Sequence, residues 1–450
     1  MIDGARTRDN RYHKPGLYQL SYDHHLGKGE ELIIANPNRA SEKRASPNAT
    51  SFHTKVEKPS SETYRSRMKA VLLAALLVSP LVCTSSAFAQ TRGREPQQLS
   101  PEQQAEQERQ LRAFADRGDA DAQFELGLRF LTGEGFKKDD KKGVEWLEKA
   151  AKTGHLRAMY VYGSLFEDGV TLEKDVAKAV EWYQKAADGG FVMAQHSVAV
   201  AYELGQGVKK DVKKAAEWFE KAAAQNYPPS MSALGSKLEK GDGVPKDTAR
   251  AALLYFKASK QEFEPAMARM AHMYYTGTGV PLDYRRSFGW YQRAARTGDA
   301  WSANDLAWFL STCPDESLHN GEQAVLIAKE ALKILAESGS EERHEMIDTV
   351  AAAHARNGEY GEAVLWQQKA ISLLAEDKDV TPEQRESLKQ EFETRLKLYR
   401  KQSPYTEPEA EGEKDAQPLP QDTILQDEGI PEGPPPSKKA PGKKPRGTVV

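Results

Sequence analysis

Between residues 119 and 298, apolar and small residues recur with a fixed spacing rather than in a scattered order. Trp146, Trp182 and Trp218 lie 36 residues apart, Leu254 falls in phase, and Trp290 returns one period later. Within one period Ala179, Trp182, Tyr183 and Ala186 stand at i, i+3, i+4 and i+7, a single apolar stripe that predicts a helix. A second helix precedes it, running from the region of Ala122 or Ala158 to an aromatic column: Phe130, Phe166, Tyr202, Leu238 and Tyr274. Three residues before that column stand Gly127, Gly163, Ala199, Gly235 and Ala271, continued by Ala307. Small residues there let a facing helix approach closely.

The corner between the two helices follows from residue chemistry. Gly133, Gly169, Gly205, Gly241 and Gly277 keep the 36-residue spacing and open a Gly-x-Gly corner in four of five units, Thr171 replacing the second glycine. Glycine suits a helix C-terminus because it accepts positive φ. A hydrophobic residue follows (Phe136, Leu172, Val208, Val244, Val280), then Asp139, Asp175, Asp211, Asp247 and Asp283. An aspartate in that place predicts an N-cap, where free amides and the helix dipole favour a carboxylate. No single helix pair can bury its stripe alone, so neighbours must stack into a solenoid.

The stretches "AMYVYGSLFEDGVTLEKDVAKAVEWYQKAADGG" and "AYELGQGVKKDVKKAAEWFEKAAAQN" resemble Sel1-like repeats, 36-residue relatives of tetratricopeptide repeats. The resemblance covers five units over 119–298; the fourth departs most, with Leu254 for Trp and with Pro228 and Pro229. Beyond Gly298 the period changes. "SANDLAWFLSTCPDESLHNGEQAVLIAKEAL" and "IDTVAAAHARNGEYGEAVLWQQKAISLL" resemble two tetratricopeptide repeats, placed at 299–376. Ser100-Pro101 opens a capping helix (99–118), and Thr381-Pro382 opens another (381–402). The resemblance implies an all-α fold, a right-handed α-solenoid of Sel1-like and tetratricopeptide helix pairs.

The flanks read differently. Residues 1–67 are polar and without apolar period, an expected disordered or upstream mis-start extension. Arg65, Arg67 and Lys69 then precede about 14 apolar residues and Ala87-Phe88-Ala89, the layout of a signal peptide at 68–89 cleaved after Ala89, with Met68 as the start. The alternative is a signal anchor behind a cytosolic tail. Export predicts a periplasmic or secreted protein. Residues 403–450 are rich in Pro, Glu and Lys, which predicts a disordered tail. Cys83 lies inside the signal, so Cys313 is the one thiol of the expected mature chain and no internal disulfide is available.

The 450 residues carry 63 Lys+Arg against 66 Asp+Glu, a net charge of −3, which argues against a dedicated nucleic-acid binder. Candidate catalytic motifs fall away in turn. Gly205–Ala223, "GQGVKKDVKKAAEWFEKAA", has glycines and lysines but lacks the phosphate-loop spacing and a preceding strand. Its Lys209, Lys210, Lys213 and Lys214 read as a solvated face. His344-Glu345 begins a zinc-protease motif, but Asp348 stands where the second histidine belongs. Cys313, in "STCPD", reads as packed rather than catalytic.

What remains is the concave face, lined mainly by the first helix of each pair. The resemblance implies partner-binding positions at Arg157, Tyr160, His196, Glu203, Ser232, Lys240, His272, Tyr275, Asn304, Trp308 and Arg356. Aromatics mixed with both charge signs suit a protein or peptide partner. Trp301 and Trp308 are candidate anchors; the alternative for each is packing between repeats. The expected function is a non-catalytic, cofactor-free protein- or peptide-binding scaffold of the bacterial cell envelope. Two alternatives remain: binding to peptidoglycan, and the penicillin-binding, β-lactamase-like activity of cysteine-rich Sel1 relatives, whose cysteines this chain lacks.

Overall fold

The computed structural model describes residues 101–419; the expected extension and signal peptide lie outside the described residues. Sixteen α-helices follow one another among them, with one 3₁₀ turn at Glu316–Leu318. The described residues divide into two compact units, with the boundary between Lys210 and Asp211. The first holds α1 (Pro101–Asp116), α2 (Ala120–Thr132), α3 (Asp140–Lys152), α4 (Leu156–Asp168), α5 (Val176–Asp188) and α6 (Val192–Leu204). The second opens with α7 (Val212–Ala224), α8 (Pro228–Lys240), α9 (Thr248–Ser259), α10 (Glu264–Thr276) and α11 (Tyr284–Ala295). It continues through α12 (Ala300–Thr312), α13 (Gly321–Glu337), α14 (His344–Arg356), α15 (Tyr360–Glu376) and α16 (Pro382–Arg400). Within each unit successive helices pack on one another, the arrangement of an all-α repeat array.

The periodic aspartates do what their position requires. Asp139, Asp175, Asp211, Asp247 and Asp283 each accept a bond from the backbone N–H three residues on, at 2.9–3.1 Å. The bond from the Lys142 amide holds the Asp139 carboxyl below its ordinary range, and that from Lys178 does the same for Asp175. At the other side of the corner, Gly133, Gly169, Gly205, Gly241 and Gly277 all end their helices in the left-handed conformation, φ 65–77°. The second corner glycine carries a steric requirement as well. A Cβ on Gly207 would lie 2.6 Å from the Val176 carbonyl oxygen, and one on Gly279 would lie 2.3 Å from that of Thr248. Gly135, in the first repeat, faces open space. Thr171 does not adopt the positive φ of its glycine counterparts, so the second repeat turns its corner by another path.

Packing follows the small-residue column. A Cβ on Gly163 would meet the Tyr183 ring at 2.9 Å, and one on Gly235 would meet Tyr255 at 2.9 Å. Trp290, Tyr255, Tyr274 and Phe256 are fully buried in the second unit. Each of the four repeats with a tryptophan also lays the cation three residues on over the indole: Lys149 on Trp146, Lys185 on Trp182, Lys221 on Trp218, Arg293 on Trp290, at 3.5–5.0 Å. Pro228 and Pro229 occupy the first turn of α8, where no intrahelical N–H is missed. Thr381 begins α16 with a capping box to Gln384.

The expected disordered tail differs from the structure over its first part. Residues 403–419, without helix or strand, are hydrogen-bonded to the array at several points. Low apolar content predicts disorder, but here main-chain and carboxylate bonds to the helices, with Tyr405 packed beside Trp308, hold this first part.

Candidate functional site

Three of the sequence-predicted groove residues, each on the first helix of a different pair, converge on one strip of chain. Arg356, at the end of α14, donates from Nη2 to the Tyr405 carbonyl and to Thr406 Oγ1, both at 2.8 Å. Its Nε donates to the Ser311 carbonyl at 2.6 Å, which fixes the guanidinium against α12. Trp308 on α12 donates from Nε1 to Glu407 Oε1 at 2.8 Å. Tyr275 on α10 donates its hydroxyl to Glu407 Oε2. The Glu407 carboxylate is therefore held by two aromatic donors, one to each oxygen, while its own N–H donates to the Thr312 carbonyl at 2.8 Å.

The strip continues across the earlier helices. The Ala410 N–H donates to Tyr284 Oη at 3.3 Å, and the Glu413 N–H to the Gly277 carbonyl at 2.9 Å. Glu413 Oε2 accepts from the Gly279 N–H and from Thr248 Oγ1, both at 2.9 Å. Tyr405 packs beside Trp308, ring centroids 6.2 Å apart, with the Arg395 guanidinium over both rings. Arg395 is itself fixed by a buried bond of 2.9 Å to Asp348 Oδ1, which also accepts from Gln367. Burial, then the nearby Glu407 charge, drive the Tyr275 hydroxyl pKa well above its ordinary value, so it stays a donor across the physiological range.

The other predicted positions have different surroundings. Tyr160, His196, Ser232 and Asn304 share one column of the repeat. Tyr160 packs against Tyr183 and Phe191, at 5.2 and 5.4 Å, and Ser232 and Asn304 are buried. Those two side chains lie inside the helix stack rather than open to a partner, a correction to the expected groove at Ser232 and Asn304. His196 is half-buried, and desolvation pushes its pKa down to about 4. Arg157, Glu203 and His272 are half-buried and Lys240 is exposed. Trp301 packs on the cluster of Ala300, Leu335 and Met346, so it serves the core. Thr248, Gly279, Tyr284 and Arg395 contact the strip and were not predicted. Their partner lay in a segment whose composition spoke for disorder.

The motifs weighed for catalysis have structural roles. Cys313 is fully buried and its thiol is pushed up to about 12 by burial, which leaves it a poor nucleophile at neutral pH. His344 is buried, its Nδ1 3.2 Å from Glu345 and 3.3 Å from Asp377, while Asp348 is committed to Arg395. Among the described residues no group of three or more His, Cys, Asp or Glu is placed to hold a metal ion. Lys209, Lys210, Lys213 and Lys214 are exposed.

Comparison with known families matches the Sel1 repeat five times without a gap, at 120–155, 156–191, 192–227, 228–263 and 264–299. The chain carries five Sel1 repeats. No curated protein matches it by sequence. Among solved structures it is similar to a protective antigen of uropathogenic Escherichia coli strains that displays an SLR fold. That likeness has 28% identity and a TM-score of 0.49, over 60% of this chain and 64% of the antigen. It is also similar to a Sel1 repeat protein from Oxalobacter formigenes, with 24% identity and a TM-score of 0.44, over 52% of this chain and 95% of that one. A third, the cysteine rich protein B of Helicobacter pylori, shares 19% identity with a TM-score of 0.26 over 30% of this chain and 98% of its own. Sel1 arrays are generally non-catalytic scaffolds, and the scaffold here suggests a protein-binding role. Among the described residues no helix is long and apolar enough to cross a membrane.

Proposed function

We propose that this protein is a non-catalytic scaffold of the bacterial cell envelope that binds a linear segment of a partner protein along the first helices of its second unit. The observation that carries the reading is the convergence of Tyr275, Trp308 and Arg356 on one strip of irregular chain. Donors spaced along successive first helices match the polar groups of a peptide main chain and its side chains, which is how helical-repeat grooves gain affinity. The envelope location is supported by the basic, apolar and Ala-x-Ala stretch at 68–89. Mass-spectrometric reading of the mature N-terminus tests it: Gln90 agrees, and retention of residues before Met68 contradicts it.

A pull-down from envelope extract, with and without muramidase, tests the binding role. One dominant protein captured in both conditions, and lost with Trp308→Ala, supports the scaffold. Binding to purified peptidoglycan alone would replace it with a wall-binding role.

A further inference from the structure

We infer that the groove of α10, α12 and α14 is specific for an acidic linear peptide with glutamates six residues apart, and that residues 405–413 hold it in cis as the competitor of that partner. The inference rests on the peptide-binding reading above and adds the chemistry of the ligand and its control. Two observations carry it.

The first is the pair of carboxylate seats. Glu407 lies between the Trp308 and Tyr275 donors, and Glu413 lies between the Gly279 amide and the Thr248 hydroxyl. Along the strip, the array bonds main-chain groups at Tyr405, Glu407, Ala410 and Glu413, which any sequence without proline at the last three can present. Selectivity therefore rests on the two acids. A lysine or leucine at the Glu407 seat would leave the part-buried indole and phenol donors without an acceptor, which is costly, while at the more exposed Glu413 seat the loss is smaller.

The second is the repeat register. The position of Tyr275 is occupied by Leu131 in the first repeat and by Glu167, Glu203 and Glu239 in the second, third and fourth. In the second and fourth the glutamate accepts from a tyrosine of the following helix, Tyr183 at 2.6 Å and Tyr255 at 3.3 Å. In the fifth repeat the chain places a donor where these two repeats supply their own acid. The acid comes instead from the tail. A carboxylate delivered by another chain fits the same seat, and the tethered segment competes with it at high effective concentration.

The test uses the full chain and a fluorescently labelled peptide, YTEPEAEGE, the sequence of residues 405–413. Glu407→Ala with Glu413→Ala empties the seats without touching the array. This variant is expected to bind the labelled peptide in trans at least tenfold more tightly than the wild type. A peptide with glutamine at the first and last of these acids should lose tenfold or more, and adding Tyr275→Phe to the variant should lose a similar factor. The isosteric Glu407→Gln, checked by circular dichroism, is a milder release and should give the same order of affinities. Equal binding by wild type and variant, or undiminished binding of the glutamine peptide, overturns the inference. So does dimerisation of the wild type that the variant abolishes, because the segment would then belong to a second copy's groove. If the muramidase-resistant partner is still captured while the peptide does not bind, the acidic specificity falls alone; if both fail, the groove reading falls with it.

Discussion

The second and fourth Sel1 repeats solve at Glu167 and Glu239 a problem that the fifth leaves open at Tyr275. In the former, a glutamate on the first helix takes the hydroxyl of a tyrosine on the second, and the bond closes within the repeat. In the fifth the column carries a tyrosine, and its hydroxyl bonds Glu407, 132 residues away in sequence. Periodicity thus sets where side chains lie, and the departure from it at Tyr275 falls where the array holds residues 405–413.

The comparison can be broken most forcefully in the fourth repeat. Glu239 also pairs with the Arg269 guanidinium, and both side chains are almost wholly inside. Glu239→Ala would leave a buried cation without its acid, and should cost about 3 kcal/mol of unfolding free energy in urea melts. A loss below about 1 kcal/mol would mean that the column does not stabilise the array.

Two hydroxyl deletions sharpen the contrast. Tyr183→Phe removes a bond internal to the second repeat and should destabilise by about 1 kcal/mol. Tyr275→Phe keeps its ring against Tyr284 and Phe309 and should change array unfolding by less than about 0.5 kcal/mol. Its effect should fall on residues 405–413, read as faster proteolysis of that segment. Equal melting losses for the two variants would remove the distinction.

The start of the fifth repeat offers a pH test of the same kind. Burial first, and then the charge of Asp299, push Glu264 up to about 8, and Ser302 donates to it. Its ordinary value is about 4.3, so the folded state holds the proton more tightly than the unfolded one. The stabilisation is complete below about 4.3 and is lost as pH rises toward about 8. Glu264→Gln should therefore match wild type at pH 4 and melt about 2–5 °C higher at pH 8.5. The smallest effect belongs to Glu262, which sits at φ 59° where Gly154, Gly190 and Gly298 stand in other repeats. Glu262→Gly should stabilise by about 0.5 kcal/mol in the same urea melts, as relief of strain exceeds the added chain entropy.

Much of the array was legible because its signals are local. The glycine that ends a helix, the aspartate that begins the next and the tryptophan stripe each follow from backbone conformation or periodicity at that residue. Tyr275, Trp308 and Arg356 were named from the resemblance, and the structure brings these three to the strip 405–413. Ser232 and Asn304 misled because polar side chains in a helix column suggest exposure, while both are buried. The strip 405–413 was illegible for a different reason. Its order comes from partners up to 165 residues earlier in the chain, as in the bond of Thr248 to Glu413, and no window of composition contains them.

Hydrogen exchange at the Glu407 and Glu413 amides tests most directly whether residues 405–413 lie in the groove. Both N–H groups donate to array carbonyls, Thr312 and Gly277, at 2.8 and 2.9 Å. In the full chain they should exchange at least roughly tenfold more slowly than the random-coil rate, and Tyr275→Phe should speed the Glu407 amide. Random-coil rates at both amides in the wild type would contradict the account.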